Sequence, residues 1–448
     1  MHFENKNGRE IVNIKKTQIF INYIVLICIT LVPLVIAPFN LFSDFFYLPK
    51  VYAITILAIL FLYVLIKNRM NICNIIWKDQ TNLYLIIYLI LLITSLFFAL
   101  DFNLAIQGSP YRVEGFSTLL LYFLMFLTAR ASSLTKNKLF YGLLISSTVL
   151  SIYGIFQYFG MDIISRDFIR TNWNTAFATF GNPNFMGTYL VLMIPIALHA
   201  FIKENLNFGA IVYMILLFCL LCTRTRGAWI GAFTALICYS YVLWYTKNRS
   251  KQMVIRQLII VLLSLIIIIS FNQISDGAFL KRFVSISTDV TDILNGSENA
   301  EKAGSFRFFI WKRVIKMIEE KPIFGFGIEN LAEPFIERYE KDMIDTMGRV
   351  YIIDKAHNEY LNIAVTTGLP SLLVYLLLIL NVIKIGFNRM RFNSLYWPLI
   401  ASICGYLVQA FFNISVVSVA YIFWVFLGLV SRYFDSSYEI EGDNYEKF

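Results

Sequence analysis

The chain is short of charge, of histidine and of the motifs that build metal and nucleotide sites. Asp, Glu, Lys and Arg make up 15% of its 448 residues, against about 25% in a soluble domain. So little charge cannot cover an ordinary water-facing surface. There are six cysteines. Cys28, Cys219, Cys222, Cys238 and Cys404 fall in apolar runs and Cys73 in a short basic loop. None lies in the long polar stretch 275–357, which excludes a disulfide framework there. Cys219 and Cys222 form a C-x-x-C inside an apolar helix and read as small buried hydrophobes. No phosphate-binding G-x-x-x-x-G-K-S/T loop, no H-E-x-x-H and no Asp-x-Asp pair outside the spans is present. No span carries a Lys/Asp/Glu series like a proton relay. Neither a cofactor nor a metal is therefore expected. The net charge of +9 comes without a Lys/Arg block interleaved with aromatics, so nucleic acid is not an expected partner. No internal repeat is visible.

What is abundant is apolar and aromatic: 58% hydrophobic residues, with 41 Phe and 26 Tyr. Runs of ~20 apolar residues suffice to cross a bilayer. Spans are expected near 18–38, 48–66, 81–100, 115–131, 139–158, 186–202, 208–223, 227–246, 257–274, 360–384, 395–413 and 416–433. The charged start (Lys6, Arg9, Lys15, Lys16) has no small-residue cleavage site within signal-peptide length, so the first run reads as an uncleaved span. Lys and Arg crowd the short loops on the N-terminal side, at Lys67, Arg69, Lys136, Lys138, Arg249, Arg389 and Arg391. The opposite short loops hold only Lys50, Arg112, Arg166, Arg170, Arg224 and Arg226. The positive-inside rule then puts both termini in the cytoplasm and 275–357 outside. The reading is an all-α polytopic membrane protein of about twelve spans. It divides into a bundle over 1–274, a large extracytoplasmic loop over 275–357, C-terminal spans over 358–433 and a cytoplasmic tail over 434–448. The acidic end of that tail, from Asp435, is expected to be disordered.

The loop is too long for a simple connection. Ser285 to Gly304 reads as polar and mobile. In Ser305 to Glu320, Phe306, Phe309, Ile310, Val314, Met317 and Ile318 recur at helical spacing. That pattern predicts an amphipathic helix lying on the membrane surface. Pro322 ends it, and Gly325-x-Gly327 gives a turn.

Of three histidines, His2 and His199 fall on the cytoplasmic side and only His357 faces outside, in Lys355-Ala-His-Asn-Glu-Tyr-Leu-Asn362. Histidine suits proton transfer near neutral pH; the plainer reading is a residue that packs or caps at a helix start. Arg224 and Arg226, in Thr223-Arg-Thr-Arg-Gly-Ala-Trp229, run against the charge bias of their loop. Charge at the hydrocarbon boundary is costly unless paired or functional, and arginine's fork of donors fits phosphate oxygens. Snorkelling to headgroups is the alternative. Arg112 follows the same logic, with Glu114 as its expected partner. Arg307 opens the predicted surface helix, where a solvated charge is the competing reading. Asn182 and Asn184, in Phe180-Gly-Asn-Pro-Asn-Phe185, mark a turn and helix start and could also hydrogen-bond sugar hydroxyls.

Taken in order, these segments resemble the O-antigen ligase and Wzy polymerase superfamily, which includes teichuronic-acid-type polymerases. Thr223-Arg-Thr-Arg-Gly looks like its Ser/Thr-Arg-Gly motif. Arg307, Trp311 and Lys321-Pro-Ile-Phe-Gly-Phe-Gly327 look like its Arg…Trp…Pro-x-x-Gly-x-Gly stretch. His357-Asn-Glu-Tyr-Leu361 with Gly368 resembles its His-Asn-x-x-Leu…Gly signature, and Gly181-Asn-Pro-Asn184 is similar to a further motif. Ser371 departs from the Gly, Thr or Tyr that ligase members often carry three residues after the signature glycine, which weakens a strict ligase reading but not the superfamily resemblance. The resemblance implies an oligosaccharyltransferase-like (GT-C-like) membrane glycosyltransferase. Its donor would be a glycan on undecaprenyl diphosphate, and its acceptor a sugar, a lipid core or a cell-wall polymer. By the same resemblance His357 is the base, Arg226 and Arg307 grip the diphosphate with Arg112 and Arg224 in support, and Asn182, Asn184 and Asn358 are glycan contacts. Direct attack would invert the anomeric carbon without a metal. Competing readings are a transporter of an anion or lipid-linked sugar, and a scaffold for a glycan-export complex.

Overall fold

The computed structural model describes residues 2–37, 45–67, 79–162, 174–246, 250–297 and 299–432, with side chains from residue 16 onward. Cys73, Arg69, Arg166, Arg170, Arg249 and the acidic tail lie outside the described residues. Every regular element described is helical. In chain order they are α1 (His2–Thr30), α2 (Leu48–Lys67), α3 (Gln80–Leu96), α4 (Phe102–Gln107), α5 (Phe116–Ala131), α6 (Lys136–Tyr158), α7 (Pro183–Ile202), α8 (Phe208–Cys222) and α9 (Arg226–Tyr245). They continue as α10 (Lys251–Ile274), α11 (Ala278–Asn295), α12 (Arg307–Glu320), α13 (Ala332–Met347), α14 (Glu359–Thr367), α15 (Leu369–Arg389), α16 (Tyr396–Ala410) and α17 (Ala420–Val430). Among the described residues seven of these are long and apolar enough to cross a membrane, namely α1, α2, α6, α7, α9, α10 and α15. α3, α5, α8 and α17 are apolar but shorter.

The bundle is organised around α7, which is apolar all round and wholly buried. A helix with no polar face has to be enclosed on every side. It packs against α8, α9 and α16. Small residues permit the close approaches, as is usual where lipid offers no hydrophobic drive. A Cβ on Gly231 of α9 would stand 2.9 Å from the Gly405 carbonyl of α16, and one on Gly187 of α7 would stand 2.6 Å from the Thr225 hydroxyl.

Three expectations are corrected. The run 360–384 is not one helix: it breaks at Gly368 (φ 90°) into α14 and α15. Pro322 O accepts from Leu369 N–H at that break, and a Cβ on Gly368 would lie 1.9 Å from Ile323 O, so glycine alone fits. The stretch Ser285–Gly304, expected to be polar and mobile, begins as regular structure: Ser285 to Asn295 continue the helix α11. Its apolar positions, such as Leu280, Phe283, Val290 and Leu294, line one face and are exposed. And α12 does not present its apolar face to a membrane surface. Phe309, Ile310, Val314, Met317 and Ile318 are buried against Phe326, Leu331, Phe335, Met343, Ala364 and Val365. Each such burial contributes about 1.5–3 kcal/mol. The long loop therefore has its own hydrophobic core, which includes α14.

Candidate active site

His357 sits at the junction of that second core with the bundle. Its position is fixed from both sides. Trp311 Nε1–H donates to Ala356 O at 3.1 Å, and Ala356 N–H donates to Asn362 Oδ1 at 3.1 Å. The Trp311 ring in turn meets Phe411 edge-on, with centroids 5.3 Å apart. Asn358 Oδ1 accepts from Leu361 N–H and caps α14. Below it, Glu359 accepts hydroxyls from Tyr375 at 2.6 Å and Tyr406 at 3.0 Å. The segment Pro322 to Gly327 braces the far end of α14. Phe326 N–H and Gly327 N–H donate to Val365 O and Thr366 O at 2.9 Å. Gly325 (φ 66°) lies so close that a Cβ would stand 2.4 Å from the Thr366 carbonyl carbon. The two glycines of the P-x-x-G-x-G stretch are thus backbone contacts that aim the histidine's helix.

His357 itself adopts φ 51°, a left-handed value uncommon for a residue other than glycine. Among the described residues its ring makes no hydrogen bond. Burial pushes its pKa down to about 4, and the neighbouring Arg112 and Arg307 push in the same direction. The ring is neutral at pH 7 and free to accept a proton.

The arginines converge on it. Arg112 makes a two-pronged ion pair with Asp354, Nε to Oδ2 at 2.6 Å and Nη2 to Oδ1 at 3.1 Å. Glu114, the partner expected from sequence, points elsewhere. Val113 (φ 53°) turns the chain between the two, and Glu114 takes the Tyr122 hydroxyl at 2.9 Å instead. Buried there, the Glu114 carboxyl is pushed up to about 7. Arg307 is the first residue of α12, placed by two left-handed residues, Ser305 and Phe306. Among the described residues it has no hydrogen-bond or ion-pair partner. Burial, with Arg226 and Arg282 as like-charged neighbours, lowers its pKa to about 10. Arg226 begins α9 and donates from Nη1 to Asp289 Oδ2 at 2.6 Å and to Ser285 Oγ at 2.9 Å. Arg224 (φ 55°) turns to Tyr158, its guanidinium 5.4 Å from the ring centroid. Through Arg282 it too belongs to the cluster.

So the structure brings His357, Arg112, Arg307 and Arg226 into one field, with Arg224 at its edge. Asn182 and Asn184 stay apart, at the start of α7. Asn182 Oδ1 caps that helix by accepting Asn184 N–H at 2.8 Å. Sequence reasoning missed Asp354, Arg282, Ser285, Asp289 and the buried Lys355–Glu329 ion pair. Arg282 and Asp289 share a face of α11, a signal that the polar reading of 285–304 hid. Among the described residues no three of His, Cys, Asp and Glu converge as metal ligands. The arrangement can hold a multiply charged anion beside an unengaged neutral imidazole.

Residues 211–376 match the family described as O-Antigen ligase. The chain is 24% identical to an uncharacterized protein of Haemophilus influenzae over 68% of this chain and 74% of that one. It is 22% identical to a general O-oligosaccharyltransferase of Acinetobacter baylyi over 60% of this chain and 45% of that one. To the ComP-specific O-oligosaccharyltransferase of the same organism it is 26% identical, over 45% of this chain and 34% of that protein. The chain thus spans less than half the length of either Acinetobacter relative.

Proposed function

Taking the chain as an O-antigen ligase-like superfamily membrane protein, we propose that it transfers a glycan from undecaprenyl diphosphate to an acceptor hydroxyl at the outer membrane face. We place both termini in the cytoplasm and the second core outside, on about twelve passes. The observation that carries the reading is the unpaired Arg307 beside Arg226, Arg112 and the unengaged ring of His357. Arg112 and Arg226 already face Asp354 and Asp289, whereas Arg307 faces no carboxylate among the described residues, so the cluster carries surplus positive charge that suits an anion.

In this mechanism Arg307 and Arg226 hold the diphosphate. His357 takes the acceptor proton as the acceptor oxygen bonds to the anomeric carbon. The bond from that carbon to the phosphate oxygen breaks with inversion, and the lipid diphosphate leaves carrying the electron pair. Its growing charge is what the arginines stabilise, a preorganised donor set worth about 10²–10³ in rate per group. The pKa of about 4 makes His357 a weak base in the empty site. Burial is the larger cause of that depression; a bound diphosphate offsets the lesser one, Arg112 and Arg307, and so raises the basicity of the ring when the donor is in place. The names of the two Acinetobacter relatives, both O-oligosaccharyltransferases, support an oxygen acceptor. The acceptor class proposed is a sugar, a lipid core or a cell-wall polymer.

The test is transfer by purified protein in vesicles. His357→Ala and Arg307→Ala each abolish product while inserting normally; near-normal product from either removes the site assignment. In cells lacking the protein, single repeat units on the carrier indicate a polymerase and full-length unattached chains a ligase. Glycan retained in the cytoplasm instead would make the protein a carrier.

A further inference from the structure

Helix α11 is lightly held: near its start Phe279 meets the rings of Trp229 and Phe271, with centroids 4.9 and 6.2 Å away. None of its residues is buried. It is flanked by Gly277 (φ 73°) and Gly296 (φ 61°), each with open space where a Cβ would go. Its apolar face is exposed, while its other face carries Arg282, Ser285 and Asp289 toward the arginine cluster. Between it and helices α9 and α10 lies a cavity of about 340 Å³ lined by Arg224, Trp229, Phe271, Phe279 and Arg282. What holds α11 in place on its polar side is mainly Asp289. Its Oδ2 accepts from Arg226 Nη1 at 2.6 Å and from Gly304 N–H at 3.1 Å.

Those donors suit a phosphate oxygen as well as a carboxylate: a guanidinium, a backbone N–H in a left-handed turn and, three residues further on, the unpaired Arg307. Arg282 lies near both Arg226 and Arg307 and also lacks a hydrogen-bond partner among the described residues. Of these three arginines only Arg226 is paired with a carboxylate, that of Asp289, among the described residues. Building on the diphosphate reading above, we infer that Asp289 is an internal stand-in for the donor phosphate. A lipid diphosphate displaces it from Arg226 and releases α11, and Arg282 joins Arg226 and Arg307 as a third phosphate ligand. One carboxylate charge leaves the cluster and two phosphate charges enter, so the exchange is driven by the surplus of arginine. Asp289 then sets how readily the donor enters, and Arg282 belongs to the binding residues.

The experiment uses the full chain in nanodiscs with inorganic pyrophosphate as the probe. Asp289→Asn binds pyrophosphate about five-fold more tightly than wild type, the scale expected from losing one competing, partly exposed ion pair. Arg282→Ala binds it several-fold more weakly. Spin labels at Thr288→Cys and Lys316→Cys, in a background without the native cysteines, report the distance from α11 to α12. Pyrophosphate shifts that distance in the wild type, and Asp289→Asn shows the shifted distance without ligand. If Asp289 were only a structural brace, Asp289→Asn would bind pyrophosphate no better and the labels would not move with ligand; either result overturns the stand-in. If Arg226→Ala and Arg307→Ala still bind pyrophosphate, the diphosphate reading itself fails. If they lose binding while Asp289→Asn is unchanged, only the present inference fails.

Discussion

Helices α11 and α12 are neighbours in the same loop, both amphipathic and both carrying an arginine, Arg282 and Arg307, beside Arg226, yet they are used in opposite ways. α12 buries its apolar face, with Phe309, Val314 and Met317 fully enclosed, and so holds Arg307 rigidly at its first turn. α11 buries no residue fully and, beyond Phe279 against the core at its start, is tied to the cluster through Ser285 and Asp289 on Arg226. The same period in sequence therefore serves a fixed wall in one case and a detachable one in the other. What separates them is whether partners exist for the apolar stripe, and those partners come from far along the chain, at Phe326, Phe335 and Val365.

The contrast breaks most visibly in stability. Phe309→Ala removes a fully buried ring and is expected to cost about 3–5 kcal/mol, read as earlier unfolding of the loop by hydrogen exchange. Leu294→Ala on α11 changes stability by less than about 0.5 kcal/mol, as exposed substitutions do. Equal losses would mean that α11 is packed as firmly as α12. In catalysis, Arg307→Ala is expected to lower the transfer rate by about 10²–10³, whereas Arg282→Ala raises the donor KM several-fold and spares most of kcat. A rate loss at Arg282 as large as that at Arg307 would place both arginines in one rigid site.

Much of this was legible in the sequence. The apolar runs gave the helical bundle, and the ordered motifs pointed to His357, Arg112, Arg226 and Arg307, which the fold does bring together. Three things were hidden. Gly368 breaks a run that is apolar throughout, because the reason for the break, Ile323 O pressed against it, lies 45 residues earlier by number. The partner of Arg112 is Asp354 and not Glu114, since a left-handed Val113 reverses the side-chain direction and no local pattern signals it. Arg282 and Asp289 of α11 were obscured because a helix without a buried residue looks, in composition, like a polar loop.

The pH dependence sharpens the role of the fixed wall. In the free protein His357 titrates near 4, below its ordinary range, because burial and two arginines disfavour the charged ring. The neutral ring is the active form, so kcat/KM falls only as pH drops toward that value. With donor bound, the diphosphate offsets the arginines and the pKa rises, so the acid limb of kcat lies about one unit or more higher. The folded pKa is depressed, so acid also destabilises the fold: the unfolded chain binds the extra proton first, and stability is lost as pH falls below about 6.5. Coincident acid limbs for kcat and kcat/KM would show that the donor's charge does not reach His357.

The smallest effect expected concerns the hinge. Gly277 and Gly325 both adopt φ near 70°, yet their surroundings differ. At Gly325 an alanine Cβ would run into the Thr366 backbone at 2.4 Å, so Gly325→Ala displaces α14 and with it His357. At Gly277 nothing lies within 4 Å, so alanine pays only the left-handed strain, about 1 kcal/mol. That strain falls on α11 alone and disfavours whichever hinge geometry needs the positive φ. If α11 leaves Arg226 by rotating about Gly277, Gly277→Ala alters pyrophosphate affinity by up to about five-fold while global stability falls by no more than that strain, about 1 kcal/mol. An unaltered affinity would move the hinge to Gly296, at the other end of the same helix.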